Sequence, residues 1–211
     1  TTPIRMAAFV QDKLEFNGMI ANLGLRLTYS DPNVSWYDYE PFTDLFDTGN
    51  ASALDTAATS DVKPQIVLQP RLGASFPITD LSKFFFNYGH TVQLPDPENL
   101  YLTRVEPFTS TVVRVAAPEN KLPKTVSYEL GYEHNILENY LVRVSGYYKD
   151  LSNQPIQVGF TSRDNNSYTV SRAFSYEDIR GFEFTFRKQT GRYFWGEINY
   201  TYSVASRGLF G

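Results

Sequence analysis

Residues 180–203 read RGFEFTFRKQTGRYFWGEINYTYS. Phe182, Phe184 and Phe186 alternate with Glu183, Thr185 and Arg187; beyond a turn, Phe194, Ile198, Tyr200 and Tyr202 alternate with Trp195, Glu197, Asn199 and Thr201. A period of two, with one apolar and one polar face, predicts β-strands. The fold turns on which solvent each face meets. A soluble sandwich would point the aromatics inward, whereas a membrane barrel would point them outward into lipid.

Composition narrows that choice. The chain has 211 residues, enough for one substantial domain. It contains no cysteine, which excludes a disulfide framework and any Cys-based metal site. A net charge of −4 with both signs interspersed argues against nucleic acid as a partner. Aromatic residues make up 16%, with 15 Tyr and 16 Phe, a weighting toward strand formers. Mean hydropathy is −0.34 and no apolar run approaches the roughly 20 residues of a transmembrane helix. A barrel escapes that test, because its lipid-facing residues occupy every second position. TTPIRMAAF lacks the charged and apolar regions of a signal peptide, so an exported protein would have lost its start here.

The same pattern recurs four times: two alternating runs joined by a tight turn, then a long polar segment. The predicted strands are about 4–16 and 19–30, 66–76 and 83–92, 124–135 and 140–151, and 179–189 and 192–204. Asn17-Gly18, PITDLS, ILEN and Gln189-Thr190-Gly191 supply the turns. No segment carries helical periodicity. All four tight turns fall on one rim, and the long segments 31–65, 93–123 and 152–178 fall on the other. Loops longer than about 12–15 residues are unusual in compact domains unless they carry function. Short turns below and long loops above is the plan of an outer-membrane barrel. The strands also reach the roughly 9–11 residues that cross a bilayer at a tilt. The polar faces mix Glu, Arg, Lys, Asn and Gly, as a hydrated lumen would. The expectation is therefore an all-β, antiparallel transmembrane β-barrel with lipid outside and water inside. Both ends of the strand set point to the long-loop rim, and an open sheet edge in lipid costs several kcal/mol per unpaired group. The eight strands are thus expected to be an internal section of a larger barrel wall.

Specific segments carry a family resemblance. AAFVQDKLEF followed by GLRLTYSDP, then QPRLGASFPITDLSKFFFNYGHTVQLPDPENLY, PKTVSYELGYEH, YLVRVSGYYKDLSNQP and IRGFEFTFRKQTGRYFWGEINYTYS resemble, in order, the barrel of TonB-dependent outer-membrane receptors. The style is similar to receptors of Bacteroidetes-like Gram-negative bacteria. The resemblance implies a barrel of about 22 strands, the plugged transporter class. It also implies a plug domain and a TonB-binding box, neither of which is in these residues, and uptake of a scarce, bulky nutrient driven by the proton-motive force. The partners implied are outer-membrane lipid, the TonB complex and an unidentified extracellular ligand. Some relatives with this barrel serve instead as structural or surface-assembly partners, with a surface lipoprotein or complex as the associate. A passive porin or small autonomous barrel is a third reading, disfavoured by the terminus argument and the ordered segments.

Nothing in the chain pairs a nucleophile with a base, so no enzyme, catalytic residue or cofactor is expected. His90 falls on the lipid-facing parity near the upper rim and His134 beside the lower turn, too far apart to share a metal. Glu129, Glu133, Glu183 and Glu197 are expected to form lumen salt bridges with Arg143, Lys149 and Arg187, in preference to acid–base pairs. The acidic residues of 31–65, among them Asp31, Asp38, Glu40, Asp44, Asp47, Asp55 and Asp61, match no calcium loop. The aromatics of that segment, Trp36, Tyr37, Tyr39, Phe42 and Phe46, are the candidate ligand-binding residues. Rings held above a pore stack on sugars or flat ligands, and equally pack against neighbouring loops or a partner.

Overall fold

The structure, a computed structural model, describes residues 2–16, 18–38, 53–161, 165–188, 190 and 193–209. In chain order its elements are β1 (Ile4–Phe16), β2 (Met19–Asp31), β3 (Ser35–Tyr37), α1 (Ala53–Thr56), β4 (Thr59–Asp61), β5 (Gln65–Thr79), β6 (Ser82–Val92), α2 (Pro97–Tyr101), β7 (Thr103–Glu106), β8 (Thr111–Val115), β9 (Lys124–Ile136), β10 (Tyr140–Thr161), β11 (Ser167–Lys188) and β12 (Gly196–Leu209). The long strands form one antiparallel sheet in the order β1-β2-β5-β6-β9-β10-β11-β12, an arc of barrel wall. Among the described residues helix is confined to the single turns α1 and α2, a small departure from the helix-free expectation.

One lateral row fixes the faces. Glu15, Ile20, Ser75, Phe85, Gly131, Ser145, Glu183 and Thr201 are successive cross-strand partners. Alternate rows on that side carry Asn22, Asn87, Glu129, Lys83, Glu133, Arg143, Arg187 and Glu197. The opposite side carries Leu23, Leu72, Tyr88, Leu130, Tyr132, Val144, Phe182, Phe184 and Tyr200. Relative to the Phe85 row, the strand ends descend from Met19 to Ser82 to Ile136, roughly one position per strand. This stagger is what tilts the strands of a closing sheet. The apolar side is therefore the outer, lipid-facing one.

Its apolar band has clear limits. On β10 it runs from Tyr140 through Val142 and Val144 to Tyr148, roughly 27 Å of strand at about 3.3 Å per residue, and Asp150 ends it. That height suits the apolar band of an outer-membrane barrel once tilt is allowed for. Tyr88, Tyr128 and Tyr148 form the upper aromatic girdle, with ring centroids 5.1 and 6.4 Å apart. At the lower edge Tyr140 stacks on Phe186 at 5.9 Å, and the Lys188 ammonium lies 3.9 Å from the Phe194 ring centroid. A cation over a ring at this depth reaches the interface while its stem stays in apolar surroundings.

The turns hold the lower rim. Gly18 takes φ +84° in the first. In the second, Thr79 and Ser82 hydroxyls are 2.7 Å apart. In the third, Leu137 and Glu138 both have positive φ and the Asn139 amide donates to Ile136 O at 3.2 Å, as in a type I′ turn, with Ile136 and Tyr140 the pair that closes the hairpin. The fourth is longer than expected, since β12 begins at Gly196 and leaves Tyr193, Phe194 and Trp195 exposed outside the strand. Asn139 Oδ1 accepts from both the Thr190 amide and hydroxyl, tying the third turn to the fourth.

The upper rim differs most from the sequence reading. Residues 152–161 and 167–178 are not loop but the continuation of β10 and β11, which pair from Tyr140↔Lys188 up to Thr161↔Ser167. Register shifts between Leu151 and Ile156, with Asn153 at φ 57°, carry the ladder past Pro155, which has no N–H to donate. Above the band β11 exchanges partners. Its lower part takes β12, and Thr169 and Val170 take β8 in parallel.

Candidate ligand cleft and lumen wall

The lumen face is polar and cross-linked. The Glu129 carboxylate accepts from Arg143 at 3.1 Å and from Asn87 Nδ2 at 3.0 Å. Arg143 also lies 4.4 Å from the centroid of Phe85, and Phe85 covers Gly131 so closely that a Cβ there would overlap the ring. Phe85 is thus an aromatic on the lumen side, where alternation alone gave no reason to single it out. Glu197 pairs with Arg187, as the expected ladder had it, while Glu133 pairs with Lys83 at 3.0 Å. Among the described residues no ion pair joins Glu183 or Lys149; the Lys149 ammonium sits 5.2 Å from the Tyr147 ring centroid. These groups are partly solvated, so each pair adds at most about 1 kcal/mol and serves mainly to fill a wet wall.

Above the band the upper-rim segments build a small apolar core. Val112, Val115, Ala117, Tyr168 and Val170 form it, with Trp36, Leu54, Val105 and Phe160 packed against them. Burial pushes the Tyr168 phenol above its ordinary range. Trp36 is positioned by β3, which pairs with β4 through Ser35↔Asp61 and Tyr37↔Thr59. Its indole N–H donates to Ala116 O at 2.8 Å, and its ring lies 5.2 Å from Tyr37. Two amides strap the loop to the sheet. Gln65 donates to Asn120 O and accepts from the Leu122 amide, while Asn120 donates to Ser171 O and accepts from the Ala173 amide.

Between these parts lies a cleft of about 790 Å³. Trp36 and Tyr37 form one wall, and Gln65, Ile66, Val92, Leu122, Asn153 and Arg172 are among the residues that form the others. Lys63, Lys121 and Lys124 also line it without an ion pair among the described residues, whereas Arg172 is paired with Glu119 at 3.0 Å. Asp38 and Asp61 accept from Ser60 and Ser35 hydroxyls. The cleft thus offers two rings, three free ammonium groups and fixed carboxylates, a set suited to a bulky polar ligand. Of the five candidate aromatics, the structure places Trp36 and Tyr37 together here; Tyr39, Phe42 and Phe46 lie outside the described residues. His90 accepts or donates at 2.6 Å with the Tyr88 hydroxyl, and His134 stacks on Tyr132 at the other end of the outer face. No set of three metal-ligating side chains converges among the described residues.

A β-barrel arc with an apolar belt, a charged lumen and a loop-built cleft above it invites comparison with known barrels. The family model described as "TonB dependent receptor-like, beta-barrel" matches residues 2–211. The chain belongs to this family. Its wall is therefore part of an outer-membrane barrel. Among solved structures it is similar to a double mutant of the Serratia marcescens hemophore receptor HasR in complex with its hemophore HasA and heme (TM-score 0.69, 14% identity, 96% of this chain and 34% of that chain). It is also similar to the siderophore receptor PirA from Pseudomonas aeruginosa (0.65, 16%, 97% and 35%) and the copper transporter OprC (0.62, 17%, 96% and 29%). At these identities the likeness is one of fold, and the chain spans about a third of the length of those receptors. No curated protein matches it in sequence.

Proposed function

We propose that this chain supplies wall and extracellular loops to a receptor that takes up a scarce, bulky nutrient with energy delivered by TonB. The family match over residues 2–211 carries the reading, and the 790 Å³ cleft gives the ligand a place to dock. The ligand enters against Trp36 and Tyr37, and its polar groups meet the lysines and amides below. Burying those groups against fixed partners holds it above the lumen until the path through the barrel opens. The energy-coupling parts act elsewhere in the receptor, so these residues contribute selectivity. Structural neighbours named for heme, siderophore and copper set the first panel of probes.

The test is uptake of ferric siderophores, haem and copper by cells that depend on the full-length receptor, with and without TonB. TonB-dependent uptake of one of them is expected. Transport that survives loss of TonB would overturn the reading, as would a barrel present at normal level that moves none of the panel. Trp36→Ala should lower uptake severalfold while leaving the amount of folded barrel unchanged. Unaltered uptake would return Trp36 to packing alone.

A further inference from the structure

The outer face carries a gap that packing does not require. One outward row reads Phe86, Leu130, Gly146, Phe182 and Tyr202 across five neighbouring strands. Gly146 alone among them has no side chain. Glycine in the middle of a strand weakens it and marks a place where something approaches the backbone closely. Neither usual local cause applies, since Gly146 is not among the residues at positive φ. A Cβ there would meet nothing nearer than Gly181 O at 3.9 Å, ordinary contact. The result is an apolar depression of about 570 Å³ with Leu130, Phe182 and Tyr202 among its walls and Tyr148 and Arg180 at its upper end.

Arg180 decides what fits there. It is exposed on the outer face, the cross-strand partner of Tyr148 in the girdle row. No ion pair holds it among the described residues. Asp150 and Asp178 face each other in the next outward row, on the solvent side, where two carboxylates disfavour the approach of an anion. A planar guanidinium is suited to bidentate phosphate contact. An apolar groove below and a cation at headgroup height above match a phosphate-bearing lipid of the outer leaflet.

We propose that Gly146 and Arg180 form a specific lipid site, with an acyl chain lying over Gly146 and the phosphate of a net-anionic headgroup, uncompensated by a cation of its own, on Arg180. The site is independent of what the receptor transports. Its test uses the full-length receptor in mild detergent, exchanged against phosphatidylglycerol or phosphatidylcholine of identical chains, with bound lipid counted by native mass spectrometry. Wild type is expected to retain phosphatidylglycerol over phosphatidylcholine by about fivefold, as one surface cation gives against anionic lipid. Arg180→Gln should erase that preference and still retain both lipids. Gly146→Leu should lose both. Heat-modifiable migration on gels verifies that each variant is a folded barrel. Equal retention of the two lipids by wild type would overturn the site. So would retention unchanged by either variant.

Discussion

Phe184 and Thr185 are neighbours in sequence and face different solvents. Phe184 pairs across strands with Val144 and Tyr200 on the outer face; Thr185 pairs with Arg143 and Asn199 on the lumen face, where its hydroxyl donates to Asn199 Oδ1 at 2.8 Å. Phe184 also lies midway between Lys188 and Arg180, the two cations that bracket the band on β11. Phe184→Arg should therefore carry the full midplane cost of an outward charge, roughly 2–4 kcal/mol, and sharply reduce insertion. Thr185→Arg enters a wet, charged wall and should be tolerated. Folded barrel recovered from outer membranes, compared between the two variants, checks this; equal recovery would mean the faces are assigned wrongly.

Turns are where this chain carries avoidable strain. Leu137 and Glu138 both occupy positive φ, at 51° and 57°, a conformation that costs L-residues roughly 1–2 kcal/mol each. Leu137 is 80% exposed, so its side chain offers little packing in return. Leu137→Asn with Glu138→Gly gives the residues such a turn favours and should stabilise the hairpin by about 1–2 kcal/mol. A higher urea midpoint for folding into lipid vesicles is the expected readout, and a lower one would assign these side chains a contact of their own. The same turn shows what sequence could reveal. ILEN was readable as a turn because β9 and β10 alternate cleanly on both sides of it. Residues 152–161 and 167–178 were not readable as strand, because Asn153 at positive φ, Pro155 and two register shifts break the period of two. The Thr111–Val115 run had β-branched content, yet its partner Val170 lies far along the chain. Trp36 and Tyr37 stood out by residue type, but the bond from Trp36 to Ala116 O spans 80 positions and leaves no local trace. Phe85 on the lumen face was equally hidden, since its reason is the missing side chain of Gly131.

At the scale of the molecule, β10 and β11 run through two solvents and join two kinds of stability. In the band, lipid replaces water on the outer face, and the continuous hydrogen-bond ladder from β1 to β12 holds the sheet. Above it, the upper-rim part packs like a small soluble domain, and most of the described side chains with no exposure at all, Val112, Val115 and Val170 among them, belong to it. The register shifts between Leu151 and Ile156 lie at the junction. Such a joint lets the upper part open while the barrel stays closed, since cooperative units differ in local stability. Tyr168 tests the division, because it is 1% exposed and stacks on Phe160 at 5.5 Å. Tyr168→Ala should cost the upper-rim part roughly 3–5 kcal/mol, as truncating a large buried aromatic does. Hydrogen exchange should then accelerate in β7, β8 and the upper halves of β10 and β11. Amides from Val142 to Tyr148 should keep their protection, and the barrel its heat-resistant migration. If those amides lose protection in step with β8, the two parts unfold as one, and the cleft is then as rigid as the wall that carries it.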